Sequence, residues 1–350
     1  MNVYRRDRTY RWNYEHGPSF RGRFPRVPAT PPKEFLGFPV RSRIGIAAGI
    51  LLNSRWIECY SRLGFDVLTY KTVRSAHRPC YPLPNWVYVD PPRAGGGGPF
   101  HVSARRPRDA RAVTSAVCFG MPSMSPEVWR RDVRRARSKL RRGQILIVSV
   151  VGTPRDGGGR EALLEDFVRC ASEAAAAGAH AVELNYSCPN VSSAEGSVYH
   201  DPSFSRELSA AARSALRSTP FLIKAGHFGS DAALGGFLDA VRGKADAIVI
   251  VNGMSRRVIR RGGAPAFPGH ETVGILGRAL HEPAVRNVRA AAALAGRRAG
   301  GPAIIAVGGV ITEDDAEDFF DAGAGAVLLG GGAALDPLFA ARVKRTRPEW

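Results

Sequence analysis

Long apolar runs are missing from this chain of 350 residues. Its most apolar stretches, such as residues 247–251 and 303–307, fall far short of the roughly 20 residues that a membrane-spanning helix requires. The amino-terminal region has neither the apolar core nor the small-residue cleavage site of a secretory signal. We therefore expect a globular, cytoplasmic protein that does not span a membrane.

Cysteine is scarce, and no two cysteines form a C-x-x-C pair. The five are Cys59, Cys80, Cys118, Cys170 and Cys188. Their odd number and wide spacing argue against a disulfide framework and against a zinc or iron–sulfur site. We expect thiols in a reducing compartment and no bound metal.

Acidic residues are outnumbered, 31 against 50 Lys and Arg, and the excess is local. Residues 1–43 hold ten basic and three acidic side chains, and residues 104–142 hold twelve and three. Ser125 and Pro126 suit the start of a helix in the second block. The apolar residues that follow at helical 4-3-4 spacing are Trp129, Val133, Ala136 and Leu140. We interpret this helix as having a solvated basic face rather than a phosphate-binding one, so no nucleic-acid partner is expected.

From residue 43 onward, short β-branched runs alternate with longer stretches rich in alanine and leucine. Such alternation is typical of parallel strands joined by crossover helices. The predicted strands are residues 44–48, 67–71, 145–151, 181–185, 221–225, 247–252, 303–307 and 326–329. Eight units predict a closed (β/α)8 TIM barrel of the α/β class. A doubly wound open sheet is the alternative, but residues 49–53 do not form its G-x-G-x-x-G turn.

The predicted barrel occupies residues 36–350 and follows a basic, proline-containing segment, residues 1–35. Two long insertions, residues 73–125 and 253–277, each follow the carboxyl end of a predicted strand. Loops at that face build the active site in such barrels, so we expect both insertions to cover a substrate. The glycine tract at residues 94–99 suits a mobile stretch or a linker without function.

Residues 183–190 carry the strongest chemical signal, since a strand end and its loop bring together Asn185, Ser187, Cys188 and Asn190. A cysteine in a suitable environment serves as a base or nucleophile, and the asparagines supply donors and acceptors. A lone cysteine would be interpreted as a small buried apolar residue. The flanking proline and asparagines favour a catalytic one.

This octapeptide closely resembles the Asn-x-Ser-Cys-Pro-Asn loop of class 1 dihydroorotate dehydrogenases, and the resemblance extends over most of residues 36–340. It implies an FMN-dependent oxidoreductase of pyrimidine biosynthesis that acts on a CH–CH bond. Its small-molecule substrate would be dihydroorotate or a related dihydropyrimidine. Cys188 would be the catalytic base that removes the C5 proton, with hydride passing to flavin N5. The resemblance also suggests a homodimer.

The resemblance assigns the flavin site to several strand ends. Ala48 and Gly49 match the family's Ala-Ala-Gly turn, whose backbone approaches the flavin ring. Lys71 and Thr72 match a pair at the second strand, where the lysine would serve both flavin and substrate and is implied as catalytic. Lys224 matches a lysine beside flavin N1 and O2. Further cofactor contacts are implied for Asn185, Gly277, Gly308, Gly309, Gly330 and Gly331, the last four as glycine pairs that hold a phosphate.

The residues implied to bind substrate are Lys71, Ser123, Asn185, Asn190, Asn252 and Gly253. Two of them depart from the family pattern. Ser123 stands where the family has asparagine, and Gly253 where it has serine or threonine. We therefore expect the flavin frame to be better kept than the substrate pocket, and a related dihydropyrimidine stays open as the substrate.

Two other functions were weighed. A tRNA dihydrouridine synthase is also an FMN barrel with a Cys-Pro loop and would use the basic helix to contact RNA, but its loop typically reads Asn-x-Gly-Cys-Pro. A barrel that binds flavin without catalysis is the other alternative, motivated by Ser123 and Gly253. Retention of Cys188 and both lysines argues against it.

Overall fold

The computed structural model describes residues 3–92, 98–155, 157–188, 194–297 and 299–350. Asn190, predicted to bind substrate, and residues 94–97 of the glycine tract lie outside the described residues. The strands are β1 Lys33–Phe35, β2 Phe38–Val40, β3 Ile44–Ile46, β4 Val67–Val73, β5 Trp86–Asp90, β6 Phe100–Val102, β7 Thr114–Val117, β8 Ile145–Val150, β9 Ala181–Asn185, β10 Phe221–Lys224, β11 Ala247–Ile250, β12 Met254–Ile259, β13 Thr272–Gly277, β14 Ala303–Val307 and β15 Ala326–Leu329. The helices are α1 Tyr10–His16, α2 Ser54–Arg62, α3 Pro126–Ser138, α4 Gly159–Ala176, α5 Pro202–Leu216, α6 Asp231–Val241, α7 Arg278–Gly296, α8 Glu313–Asp321, α9 Gly331–Leu335 and α10 Phe339–Thr346.

Eight parallel strands close into a barrel in the order of the chain: β3, β4, β8, β9, β10, β11, β14 and β15. All eight predicted strands are confirmed, three of them with the predicted bounds. Their aliphatic runs are almost entirely buried, as expected for parallel strands covered by helices. The fold is the predicted (β/α)8 barrel and not an open sheet.

Small and branched side chains pack the interior of the barrel, among them Ile147, Leu222 and Val249. The surrounding helices bury their apolar faces against the outside of the same strands. Toward the carboxyl ends of the strands the barrel wall carries polar residues. Asn185 at the end of β9, for example, pairs in register with Lys224 at the end of β10. Within the described ranges, no helix has the length and apolar character needed to cross a bilayer.

The two insertions form a second, smaller barrel rather than loops. Its strands close in the order β12, β13, β7, β5, β6, and their inner side chains include Val89, Phe100, Val258 and Ile275. The sequence placed the insertions correctly at the active-site face but missed this secondary structure. The strands are only three to six residues long, and residues 255–257 of β12 are all exposed, so the hydrophobic pattern is weak.

The amino-terminal segment packs on the barrel through aromatic side chains. Val3, Tyr4 and Tyr10 are buried in the same apolar core as the barrel helices. The indole Nε1 of Trp56 in α2 donates a hydrogen bond to the Asn13 carbonyl at 3.3 Å. The segment is therefore packed into the folded unit.

Helix α3 confirms the predicted amphipathic pattern. It follows Ser125 at the N-cap, and Trp129, Val133 and Ala136 are its buried residues. The Trp129 indole donates to the Arg74 carbonyl at 2.9 Å, so α3 supports the chain that leaves β4. Leu140 lies just beyond the helix and is half-buried.

Candidate active site

A large pocket lies at the carboxyl ends of the barrel strands, with about 1310 Å³ of space including its open mouth. Thirteen of the predicted site residues line it: Ala48, Gly49, Lys71, Thr72, Asn185, Cys188, Lys224, Asn252, Gly277, Gly308, Gly309, Gly330 and Gly331. They come from seven of the eight barrel strands or the loops that follow them. The fold thus gathers residues that are up to 283 positions apart in the sequence.

Two buried lysines lie in the floor of the pocket. The Lys224 ammonium donates to the Ala48 carbonyl at 3.1 Å, which ties β10 to the turn after β3. Burial lowers the pKa of Lys71 to about 8; a Cys188 thiolate opposes this shift, and the charge of Lys224 adds to it. Burial also lowers the pKa of Lys224. Two ammonium groups this poorly solvated call for anionic partners.

A chain of polar contacts joins the walls contributed by β4, β8 and β9. The Asn185 amide donates to the Thr72 hydroxyl at 3.4 Å, and that hydroxyl lies 3.0 Å from the Ser149 hydroxyl. The side-chain Oδ1 of Asn185 accepts from the Ser187 backbone N–H at 3.1 Å. Asn185 therefore holds the loop that carries Cys188.

Cys188 is buried at the pocket wall, and hydrogen bonds hold both polar atoms of the peptide group that joins it to Ser187. The Cys188 N–H donates to the Gly196 carbonyl at 2.9 Å, and the Asn252 amide donates to the Ser187 carbonyl. Asn252, predicted to bind substrate, therefore ties the end of β11 to the loop that carries Cys188. Both asparagines thus hold the backbone of Ser187, the residue before Cys188.

A buried ion pair, absent from the sequence predictions, anchors the far end of this loop. Arg74 and Glu195 are completely buried, with Nη2 and Oε1 3.4 Å apart, and Arg78 lies 3.7 Å from the same oxygen. The Arg74 guanidinium also donates to the Met121 and Gly152 carbonyls. The loop after β9, the first insertion and the end of β8 thus share one network.

Two glycines that line the pocket are required by close backbone approach. Gly277 has φ +83°, and a Cβ there would lie 2.3 Å from the Val113 carbonyl oxygen. Gly309 has φ +81°, and its Cβ would lie 2.7 Å from the Gly277 oxygen. Side chains are excluded at both positions, which brings the backbone to the pocket surface.

Two predicted substrate residues, Ser123 and Gly253, do not line the pocket. The Ser123 hydroxyl accepts from the Arg74 N–H at 3.0 Å and donates to the Met124 carbonyl at 2.8 Å. It thus satisfies its hydrogen bonds within the insertion. The roles predicted for these two residues and for Asn190 stay predictions.

An aromatic wall of the pocket was missed by the sequence analysis. Tyr4 from the amino-terminal segment lies 5.8 Å from Trp86 and 5.9 Å from Phe119 between ring centres, and all three rings line the pocket. The Tyr4 hydroxyl and Trp86 Nε1 are buried without a hydrogen-bond partner among the described residues. Burial raises the pKa of Tyr4. The available signal was the unusual number of aromatic residues in a basic, proline-rich segment.

The family model for dihydroorotate dehydrogenase matches residues 104–349. The chain belongs to the dihydroorotate dehydrogenase family.

Individual members of the dihydroorotate dehydrogenase family agree with this assignment. The dihydroorotate dehydrogenase of Dictyostelium discoideum is 32% identical over an alignment of 358 residues that covers 97% of this chain and 95% of that protein. The catalytic subunit of dihydroorotate dehydrogenase B (NAD(+)) from Fusobacterium nucleatum is 31% identical over 182 residues, which cover 51% of this chain and 57% of that protein. The crystal structure of the Eimeria tenella enzyme in complex with ferulenol superposes with a TM-score of 0.71 at 19% identity, over 95% of this chain and 87% of that one, and supports the fold.

Membership confirms the predicted oxidoreductase acting on a CH–CH bond, with dihydroorotate oxidation in pyrimidine biosynthesis as the family's reaction. It selects this reaction over the tRNA-modifying and non-catalytic alternatives. Enzymes of the dihydroorotate dehydrogenase family are flavoproteins, which suits a deep pocket whose floor carries two lysines.

Proposed function

We propose that this pocket binds FMN and oxidises dihydroorotate to orotate, with Cys188 as the base. The observation that carries the proposal is the convergence of Cys188, Lys71 and Lys224 with the glycine turns after β14 and β15 in one pocket. These groups supply a proton acceptor, two cations and backbone surfaces for a cofactor. Each suits a different part of the reaction.

The residues present fit FMN. A Cβ at Gly330 would meet no protein atom within 4 Å, and one at Gly49 would approach a single carbonyl at 3.9 Å, so both backbones face open space. Gly308, Gly309, Gly330 and Gly331 would hold the phosphate through the backbone. Ala48, Gly49, Thr72, Asn185 and Gly277 would line the ring system. When bound, FMN accepts the hydride that leaves the substrate.

Lys224 would place positive charge beside the ring system, where reduction adds negative charge. The hydrogen bond from its ammonium to the Ala48 carbonyl fixes the direction of that charge. Two further N–H donors of the ammonium remain for the pocket.

Cys188 would take the proton from the carbon next to a carbonyl of the substrate ring. Positive charge stabilises a thiolate, and Lys71 and Lys224 both couple to Cys188 electrostatically. The hydrogen bonds at the Ser187–Cys188 peptide group hold the backbone that carries the thiol, which favours proton transfer.

Lys71, Asn185 and Asn252 would orient the substrate, the lysine by pairing with its carboxylate. Asn190 is proposed for the same ring on the strength of the loop motif. The Ser123 hydroxyl forms its hydrogen bonds within the protein. Recognition of the amide groups of the substrate ring, which excludes related rings, therefore depends on Asn185, Asn190 and Asn252. We further propose that the protein is a cytoplasmic homodimer. Subcellular fractionation tests the location, and sedimentation velocity tests the oligomeric state.

The direct test is to purify the protein, record its visible spectrum and add dihydroorotate without oxygen. We expect a flavin band that dihydroorotate bleaches rapidly. A flavin band that persists with dihydroorotate but is bleached by another dihydropyrimidine would reassign the substrate. Colourless protein that takes up no FMN would contradict the proposal.

A further inference from the structure

Glu183 is a buried carboxylate that the proposed reaction does not use. It lies on β9 two residues before Asn185 and is completely buried. Both of its carboxylate oxygens are buried and have no hydrogen-bond partner among the described residues. An isolated charge in such a position is strongly unfavourable unless another charge compensates it.

The available opposite charge is on the neighbouring strand. Glu183 pairs in register with Leu222 of β10, whose side chain packs inside the barrel, and Lys224 follows two residues later on the same face. Both side chains therefore lie in the barrel interior. They are on adjacent strands, and Lys224 is the next residue on that face of β10 after the one that pairs with Glu183. They form no hydrogen bond with each other.

Electrostatics couples the two groups across this gap. Burial lowers the pKa of Lys224, and the charge of Glu183 opposes that shift more than Cys188 does. Lys71, the second cation of the floor, repels Lys224. Glu183 is thus the principal group that favours the charged form of Lys224.

The gap between the two groups has a consequence for hydrogen bonding. A lysine in direct contact with a carboxylate would use at least one of its three N–H donors for that contact. Lys224 makes one hydrogen bond in the described part of the chain, to the Ala48 carbonyl at 3.1 Å. We propose that Glu183 is a positioning residue that keeps Lys224 protonated through space and so leaves its remaining donors for the cofactor. The part that concerns the cofactor rests on the proposed function.

The first test reads Lys224 itself and needs no flavin. The pH titration of its Cε carbon is followed by NMR in protein labelled with ¹³C-lysine, and the signal is assigned by its loss in Lys224→Arg. We expect Lys224 of Glu183→Gln to lose its proton at lower pH than in the unmodified protein, and Glu183→Asp to retain most of the original behaviour. Identical titrations in Glu183→Gln and the unmodified protein would overturn the proposal.

If Glu183→Gln does not fold, the NMR titration of Lys224 in the unmodified protein still tests the proposal. Lys224 that remains charged at pH 7 supports the proposal. Lys224 that is already neutral at that pH overturns it, because Glu183 then fails to hold the proton.

The second test is the midpoint potential of bound flavin, measured at a pH where Lys224 is charged in the unmodified protein and neutral in Glu183→Gln. Loss of the ammonium charge should disfavour reduced flavin about tenfold, a decrease of about 30 mV for a two-electron couple. An increase in the potential would mean that Glu183 acts on the flavin directly and not through Lys224. When Glu183→Gln is introduced into Lys224→Met, it should no longer lower the midpoint potential of the flavin.

Protein without flavin would contradict the proposed function but leave the NMR test intact. Normal catalysis with an unchanged Lys224 titration would contradict the role of Glu183 alone. The two ideas can therefore fail separately.

Discussion

At the scale of single residues, Lys71 should determine how the site responds to pH. Burial lowers its pKa to about 8, so its charge is present below that pH and disappears as the pH rises through it. The substrate carboxylate that Lys71 is proposed to hold is anionic throughout this range. Binding of an anion is therefore favoured on the acidic side.

We expect the KM for dihydroorotate to be constant below pH 8 and to rise above it, approaching about tenfold per pH unit. Steady-state kinetics from pH 6.5 to 9.5 measures this. Lys71→Arg keeps a cation at high pH, so its KM should be larger but nearly independent of pH. A KM that stays constant to pH 9.5 in the unmodified enzyme would exclude Lys71 as the carboxylate partner.

The residues that a local motif could identify are those near strand ends. Cys188 was predicted from its place beside asparagines at a strand end and from the family resemblance. Lys71 and Lys224 were predicted from the resemblance alone, at the ends of strands that the hydrophobic pattern reveals. Arg74 and Glu195 were missed because their partnership spans 121 positions and neither lies in a distinctive motif. Glu183 is the first residue of the octapeptide 183–190. That its carboxylate has no hydrogen-bond partner among the described residues is visible only in three dimensions.

At the scale of elements, the pair of Arg74 and Glu195 should hold the loop after β9 against the first insertion. Glu195→Gln leaves Arg74 buried and without its counter-charge, with Arg78 close by. We expect the free energy of unfolding to fall by about 3–5 kcal/mol. Urea denaturation followed by circular dichroism measures the change.

The matched control is Glu282→Gln, which removes the carboxylate of an exposed pair with Arg286 on α7. Its cost should be about 0.5 kcal/mol or less. Equal costs for the two substitutions would show that the buried pair adds no special stability to the loop.

The barrel strands were predictable because each is an almost continuous aliphatic run that is buried on both faces. The strands of the smaller barrel were not, because they are only three to six residues long and residues such as 255–257 of β12 are exposed. Their closure depends on pairings such as Val258 with Phe100, which are 158 positions apart. No local pattern contains that information.

At the scale of the whole molecule, the amino-terminal segment contributes to the pocket instead of standing apart from it. Tyr4 is 2% exposed and packs against Trp56, Trp86 and Phe119. These contacts join the segment to α2 and to the smaller barrel. Composition identified the segment as basic and proline-rich but could not predict where its aromatic rings pack.

Two substitutions of Tyr4 separate the ring from the hydroxyl. Tyr4→Ala should lower the free energy of unfolding by about 3–5 kcal/mol, because it leaves a cavity in the core. Tyr4→Phe should be neutral or slightly stabilising, because the hydroxyl is buried and has no hydrogen-bond partner in the part of the chain that the structure describes. Both are measured by denaturation of flavin-free protein. A large cost for Tyr4→Phe would reveal a hydrogen bond to that hydroxyl.

The central claim is that Cys188 in this pocket starts the oxidation of dihydroorotate. The most direct measurement is the single-turnover rate of flavin reduction by dihydroorotate, followed by stopped flow without oxygen. Cys188→Ala should lower the rate about 10²–10⁴-fold while flavin stays bound, whereas Cys59→Ala, buried in α2 away from the pocket, should retain it. An unchanged rate in Cys188→Ala would contradict the account.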